Sequence, residues 1–238
     1  MILCLETSTR LCSVALCDKD GVIALRESED SKSHASQLTL LADEVLRSAG
    51  INVSNLQAVA VSRGPGSYTG LRIGVSVAKG MAYGASIPLI AADTMLSMFY
   101  GIGGYLSSKP DTELSAYYIP MLDARRMEVY YAIFDTSGRI VKETAAEVIT
   151  EESFSEIPAD ARIVFFGDGS DKCREVIRHP GAFFCSDFRI SAAHMYLPVK
   201  VAFEEKKFED VAYFEPFYLK DFIATKPVKN ITGSKFAL

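Results

Sequence analysis

The chain has 238 residues, 49% hydrophobic and 23% charged, with a net charge of −5. That balance is ordinary for a water-soluble globular protein holding one large domain or two small ones, and its acidity argues against a dedicated nucleic-acid-binding surface unless a partner supplies the basic face. The start, Met1-Ile2-Leu3-Cys4-Leu5-Glu6, has no basic n-region and no apolar run is long enough to span a bilayer, so a cytoplasmic protein without membrane attachment is expected. In chain order, strands are expected at Ile2 to Thr7, Leu11 to Cys17 and, after the turn Asp18-Lys19-Asp20-Gly21, Val22 to Arg26. A helix follows from Ser33 to Ala49, with apolar residues at helical spacing and Gly50 as its stop. Next come the strand Ala58 to Val61, a glycine-rich turn, a helix from Gly70 to Gly84, a short strand Pro88 to Ala91 and a helix from Asp93.

The same order begins again. At one constant offset Leu5-Glu6 corresponds to Leu122-Asp123, Ala15-Leu16 to Ala132-Ile133, Asp18 to Asp135, Gly21 to Gly138 and Ile23 to Ile140. The run from Met127 to Phe134 is apolar on both faces and reads as a central strand. After it come the strand Arg162 to Phe166, a helix reaching Arg178, the strand Ala182 to Cys185 and a helix from Ser191. The expected fold is α/β and two-lobed: a duplicated, ribonuclease-H-like βββαβα unit of the actin-like (ASKHA) kind. The boundary is expected between Gly101 and Asp111, giving lobes at 1–105 and 106–220 and a loosely held tail at 221–238.

The most informative stretch is Ser62-Arg63-Gly64-Pro65-Gly66-Ser67-Tyr68-Thr69-Gly70-Leu71-Arg72-Ile73-Gly74, which joins a strand to a helix. Gly70, Gly74, Ala78 and Ala82 recur every fourth residue, a ridge almost without side chains that invites close approach of another helix. Leu71, Ile73, Val75, Val77 and Met81 make the other faces apolar, and Leu38, Leu41 and Val45 of the preceding helix could supply the apolar counterpart. The turn itself is Gly-x-Gly-x-x-x-Gly without the Gly-Lys-Ser/Thr ending of a P-loop. Its leading reading is a tight turn; the sharper one is a weak nucleotide or anion site made by Glu6, Arg63, Gly66, Thr69 and Arg72.

Other chemistry has little to build on. The five cysteines are odd in number, and neither C-x-x-C nor histidine spacing suited to zinc occurs; reduced, buried thiols and no metal site are expected. Glu6 and Asp123 could face each other across an interlobe cleft and hold Mg²⁺, but charged strand ends stabilised by Arg10 or Arg125 are the simpler reading. Ser67 or Thr69 as a protease nucleophile would lack a histidine in the same motif. His34, after a Ser33 cap, reads as a capping or interface residue.

The chain resembles the TsaB (YeaZ) family along nearly its full length. The resemblance is carried by Leu5-Glu6-Thr7-Ser8 with Cys12-Ser13-Val14-Ala15-Leu16, by Ser33-His34, by the glycine-proline block continuing to Ala78-Lys79-Gly80, by Asp123-Ala124-Arg125-Arg126 with Glu128-Val129-Tyr130, and by Pro216-Phe217-Tyr218-Leu219-Lys220. Glu6, Tyr68 and Met127 depart mildly from it, standing where Asp, Phe and Gly are commoner. The resemblance implies a non-catalytic scaffold or activator subunit of the machinery that forms N6-threonylcarbamoyladenosine in tRNAs reading ANN codons. It implies pairing with a catalytic TsaD-like paralogue of the same fold, help from a TsaE-like ATPase, contact with tRNA only through the complex, and a homodimer as the alternative pairing. No tightly bound cofactor is implied, although ATP or ADP could lie at a partner interface. The pairing surface would be the first two helices, with His34, Leu38, Leu41, Val45, Gly70, Ile73, Gly74, Val77, Ala78 and Met81. The rival function is a small actin-like kinase or ATPase using the interlobe cleft.

Overall fold

A computed structural model describes residues 1–29, 34–107 and 117–219. Strands β1 (Ile2–Glu6), β2 (Cys12–Cys17), β3 (Val22–Ser28), β4 (Ala58–Gly64) and β5 (Leu89–Asp93) form one sheet in the order β3-β2-β1-β4-β5. Strands β6 (Tyr117–Asp123), β7 (Glu128–Asp135), β8 (Ile140–Val148), β9 (Ile163–Phe166) and β10 (Ala182–Cys185) form a second, in the order β8-β7-β6-β9-β10. In each sheet the first three strands are an antiparallel meander, and the fourth and fifth run parallel to the first. The two sheets are copies of one plan, as expected of an actin-like fold. The β2–β3 and β7–β8 turns both place an aspartate at the start and a positive-φ glycine at the end, Asp18 with Gly21 and Asp135 with Gly138.

Period-two alternation gives each sheet two apolar faces. In the first sheet Leu3, Leu5, Val14, Leu16, Val59 and Val61 point to helices α1 (His34–Ser48) and α2 (Tyr68–Ala85). The opposite face is built of small residues, Cys4, Ala15, Ala58 and Ala60, and receives Met195 and Val199 of the segment containing helix α4 (Tyr196–Glu204). Helix α3 (Thr94–Ser107), although it leaves the first sheet, lays Met95, Met98 and Ile102 on Leu122, Phe134, Val164 and Phe166 of the second. Each lobe therefore covers one face of its neighbour's sheet with its own last helix. The expected lobe boundary falls partly inside α3 and partly outside the described residues, and the tail at 221–238 lies wholly outside them.

The second lobe departs from expectation. No α-helix forms between β9 and β10; Asp171–Cys173 is a single 3₁₀ turn followed by further turns. The Ser170 hydroxyl, which could have capped a helix, donates instead to the Gly167 carbonyl at 2.7 Å, and Pro180 bars any continuation. Cys173 and Ile177 still reach the core beside Phe154 and Phe165. All five cysteines are buried free thiols, with the Sγ atoms of Cys4 and Cys17 at 3.9 Å.

From Glu205 onward the chain returns to the first lobe as an extended strap. Glu209 bridges Leu89, the Lys79 ammonium donates to the carbonyls of Ala212 (2.9 Å) and Phe214 (3.1 Å), and the Phe217 N–H donates to the Arg63 carbonyl (2.7 Å). Val211 and Phe214 pack on the first lobe's core.

Candidate functional site

The glycine turn is closed by its own chain. Gly64 and Gly66 carry φ of +115° and +158°, values that free the backbone to fold back on the end of β1. The Ser67 N–H donates to the Ser8 carbonyl at 2.6 Å. A Cβ at Gly66 would lie 2.5 Å from the Ser8 carbonyl oxygen, and one at Gly70 only 2.1 Å from that of Thr7. Ser67 caps α2, its Oγ accepting the Gly70 N–H at 3.2 Å. The glycines thus admit the protein's own Thr7-Ser8 backbone, and two of the N–H groups that could meet a phosphate are already bonded.

This geometry corrects the expected ridge. Gly70, Gly74, Ala78 and Ala82 line the buried side of α2, and Gly74 sits over Thr7 and Val61. The close neighbour is the sheet beneath, so the ridge offers no outer face. Leu38, Leu41 and Val45 are likewise buried in the core under α1. They too are unavailable to a partner. Ile73, Val77 and Met81 stay half-buried on the flank of α2, and His34 opens α1 while Ser33 lies outside the described residues.

The outward surface has a different composition. Gly80 and Gly84 face open space, with nothing within 4 Å of a built Cβ, and Leu40 and Tyr83 are 56% and 81% exposed. Between α1, α2 and the turn Val53–Asn55 lies a shallow groove of about 680 Å³ lined by Thr39, Val53, Val77, Gly80, Met81 and Gly84. Leu40, Gly80, Tyr83 and Gly84 went unnoticed in sequence because nothing in periodicity tells an open glycine from a buried one. The signal for the two glycines was the repeat of small residues at positions 76, 80 and 84, two residues on from the ridge and so on the opposite face of α2.

The arginines proposed for an anion are held elsewhere. Arg63 pairs with Asp93 at 3.1 Å and lies over the Phe217 ring, 5.7 Å from its centroid. Arg72 stacks on Tyr68 at 4.1 Å and donates from Nε to the Tyr218 hydroxyl at 3.0 Å. Thr69 is exposed in the first turn of α2.

Glu6 is fully buried, and burial raises its pKa above the usual carboxylate range. One of its oxygens accepts the Ser8 N–H at 2.6 Å; the other, with the hydroxyls of Thr7 and Ser8, has no partner among the described residues. Asp123 is bonded instead to the Lys172 ammonium, which also donates to the carbonyls of Arg126 and Glu128, both at 2.7 Å. The Arg125 contact to Asp123 is through its backbone N–H, at 2.9 Å, so the expected stabilisation by the Arg125 guanidinium is corrected to Lys172. Among the described residues no group of three or more His, Cys, Asp or Glu could hold a metal, and no helix is long and apolar enough to cross a membrane.

Residues 27–227 match the family model described as TsaD: tRNA N6-adenosine threonylcarbamoyltransferase. The chain is 30% identical over 231 residues to the tRNA threonylcarbamoyladenosine biosynthesis protein TsaB of Escherichia coli (strain K12), covering 94% of this chain and 96% of that protein. It is 27% identical over 243 residues to the protein of the same name from Bacillus subtilis (strain 168), covering 98% and 99%. The solved structure of YeaZ from Pseudomonas aeruginosa shares the fold, with a TM-score of 0.77 at 24% identity over 92% of this chain and 99% of that one. Within the wider group that the transferase model describes, the chain belongs to the TsaB (YeaZ) family.

Proposed function

We infer that this chain is a subunit of the machinery that forms threonylcarbamoyladenosine in tRNA, and that it docks onto a catalytic partner without carrying out the transfer itself. The names and end-to-end coverage of its relatives support the first part. The second is carried by one observation: Gly66 and Gly70 are pressed against the carbonyls of Ser8 and Thr7, so the turn that could have held a nucleotide or anion is filled by the chain's own backbone. The partner in this reading is a TsaD-type transferase of the same fold, and a TsaE-type ATPase joins the assembly. The docking face is the outer side of α1 and α2, with Leu40, Ile73, Val77, Gly80, Met81 and Gly84. In the absence of the partner, a second copy of the chain competes for that face. The net charge of −5 favours tRNA contact through the partner.

The test is a tRNA-modification assay reconstituted from the purified transferase and ATPase, with and without this chain. Modification is expected to fall to background when the chain is omitted, or when Gly80→Glu sets a charge in the middle of the docking face. Equal modification without the chain would remove it from the reaction.

A further inference from the structure

On the side of the first sheet away from α1 and α2, the two lobes enclose a cavity of about 560 Å³, a volume suited to a small molecule. Leu25 and Glu27 of β3 and Tyr100 and Tyr105 of α3 line it from the first lobe, and Phe188 and His194 from the second. Leu25 packs with the cluster that α4 covers, so the first sheet separates this cavity from the docking face.

Its walls are aromatic and fixed. The Tyr105 and Phe188 rings meet edge to face with centroids 6.2 Å apart, and the His194 ring stacks on Phe188 at 5.2 Å. Gly101 admits the His194 ring against α3, where a Cβ would lie 2.4 Å from it. Gly104, which also lines the cavity, has nothing within 4 Å of a built Cβ.

Its charge is negative. The hydroxyls of Ser13 in the first lobe and Ser191 in the second both donate to one Glu27 carboxylate oxygen, at 2.8 and 2.6 Å. That carboxylate is therefore held in place before any ligand arrives. Asp187 adds a second. Arg189 is paired with Glu29, and burial holds His194 at a pKa of about 4, which leaves its ring neutral at pH 7. Among the residues lining the cavity, Glu27 and Asp187 are left without a paired cation. A cation is drawn there both by the carboxylates and by the quadrupoles of the surrounding rings. The same field repels a phosphate.

We propose that this interlobe cavity binds a small organic cation, an alkylammonium or alkylguanidinium compound, with its charged head on Glu27 and its stem among the aromatic rings. Because the walls come from both lobes, the occupant also ties the lobes together. The inference stands apart from the docking reading.

The test is isothermal titration calorimetry of the full-length chain with agmatine, which is positive at both ends, and with 4-guanidinobutanoate, in which a carboxylate replaces the ammonium. Agmatine is expected to bind at one saturable site, and 4-guanidinobutanoate at least about tenfold more weakly, a difference of about 1.4 kcal/mol. Glu27→Gln keeps an acceptor for both serine hydroxyls and removes the charge; it should weaken agmatine binding by a similar factor. Gly104→Phe, which leaves the charge as it is and fills the space, should abolish binding without lowering the thermal midpoint of the ligand-free chain. Should Glu27→Gln fail to fold, Asp187→Asn makes the charge comparison, with several-fold weaker binding expected. Absence of saturable binding at millimolar agmatine would overturn the proposal. Equal affinity in the parent and Gly104→Phe would place the agmatine elsewhere on an acidic surface and overturn it too. So would equal affinity for the two probes.

Discussion

Replacing Gly70 with alanine should destabilise the protein, although alanine is the better helix former. The new Cβ would stand 2.1 Å from the Thr7 carbonyl oxygen, where ordinary contact begins near 3.4 Å. The obstacle is backbone at the end of a buried strand, held by the Ser62 hydroxyl on the Thr7 N–H and by Ser67 on the Ser8 carbonyl. It cannot swing away as a side chain would, so the first turn of α2 must lift. Overpacking of this kind costs about 1–3 kcal/mol, and the helix preference for alanine returns only roughly 0.5–1 kcal/mol. Gly80→Ala, on the same helix with open space around it, keeps the gain without the clash. Urea unfolding followed by circular dichroism should therefore place Gly80→Ala above the parent and Gly70→Ala below it. The separation should be on the order of 2 kcal/mol, which for a chain of this size is ~4–8 °C in melting temperature. Equal stability of the two variants would refute the inward-facing ridge.

Three other outcomes are expected. Burial raises the Glu6 pKa, so its contribution to stability is full at acid pH and is lost as pH rises through the folded value; the advantage of Glu6→Gln over the parent should grow as pH rises above the ordinary glutamate value of 4.5, and a pH-independent difference would contradict this. Burial pushes His194 down to about 4 from 6.5, against the opposing pull of Glu27. The His194 contribution to the unfolding free energy should be level above pH 6.5 and fall by on the order of 2–3 kcal/mol towards pH 4, so the parent should lose that much relative to His194→Gln over this range. Lys79→Met should free the strap, seen as faster amide exchange at 210–218 with little change in β1 or β4; unchanged exchange would mean the Lys79 bonds do not hold it.

The strands were legible because their chemistry is local. Alternation in Leu3 to Val61 and the paired Asp-x-x-Gly turns needed no knowledge of distant residues, and they carried the duplicated plan. The helix face was legible only by half. Periodicity marks Gly70, Gly74 and Ala78 as a stripe meant for close approach, but it does not say whether the approaching backbone is a strand below or a helix outside. That is decided by Thr7 and Ser8, some sixty residues away. The absent second-lobe helix shows the converse: Cys173, Val176 and Ile177 have helical spacing because they share a core, and turns deliver them there just as well. The strap had no period at all. Its role depends on which carbonyls happen to meet Lys79, and only the folded chain supplies that.

The exchange of final helices between the two sheets has a consequence for synthesis. When β5 leaves the ribosome, the alanine- and cysteine-lined side of the first sheet has no cover, because Met195 and Val199 lie about a hundred residues further along. At typical translation rates of about 5–20 residues per second, that apolar floor stays bare for roughly 5–20 s. During that interval the nascent amino-terminal half is the stretch most in need of a chaperone, and a fragment ending after α3 should aggregate when expressed alone.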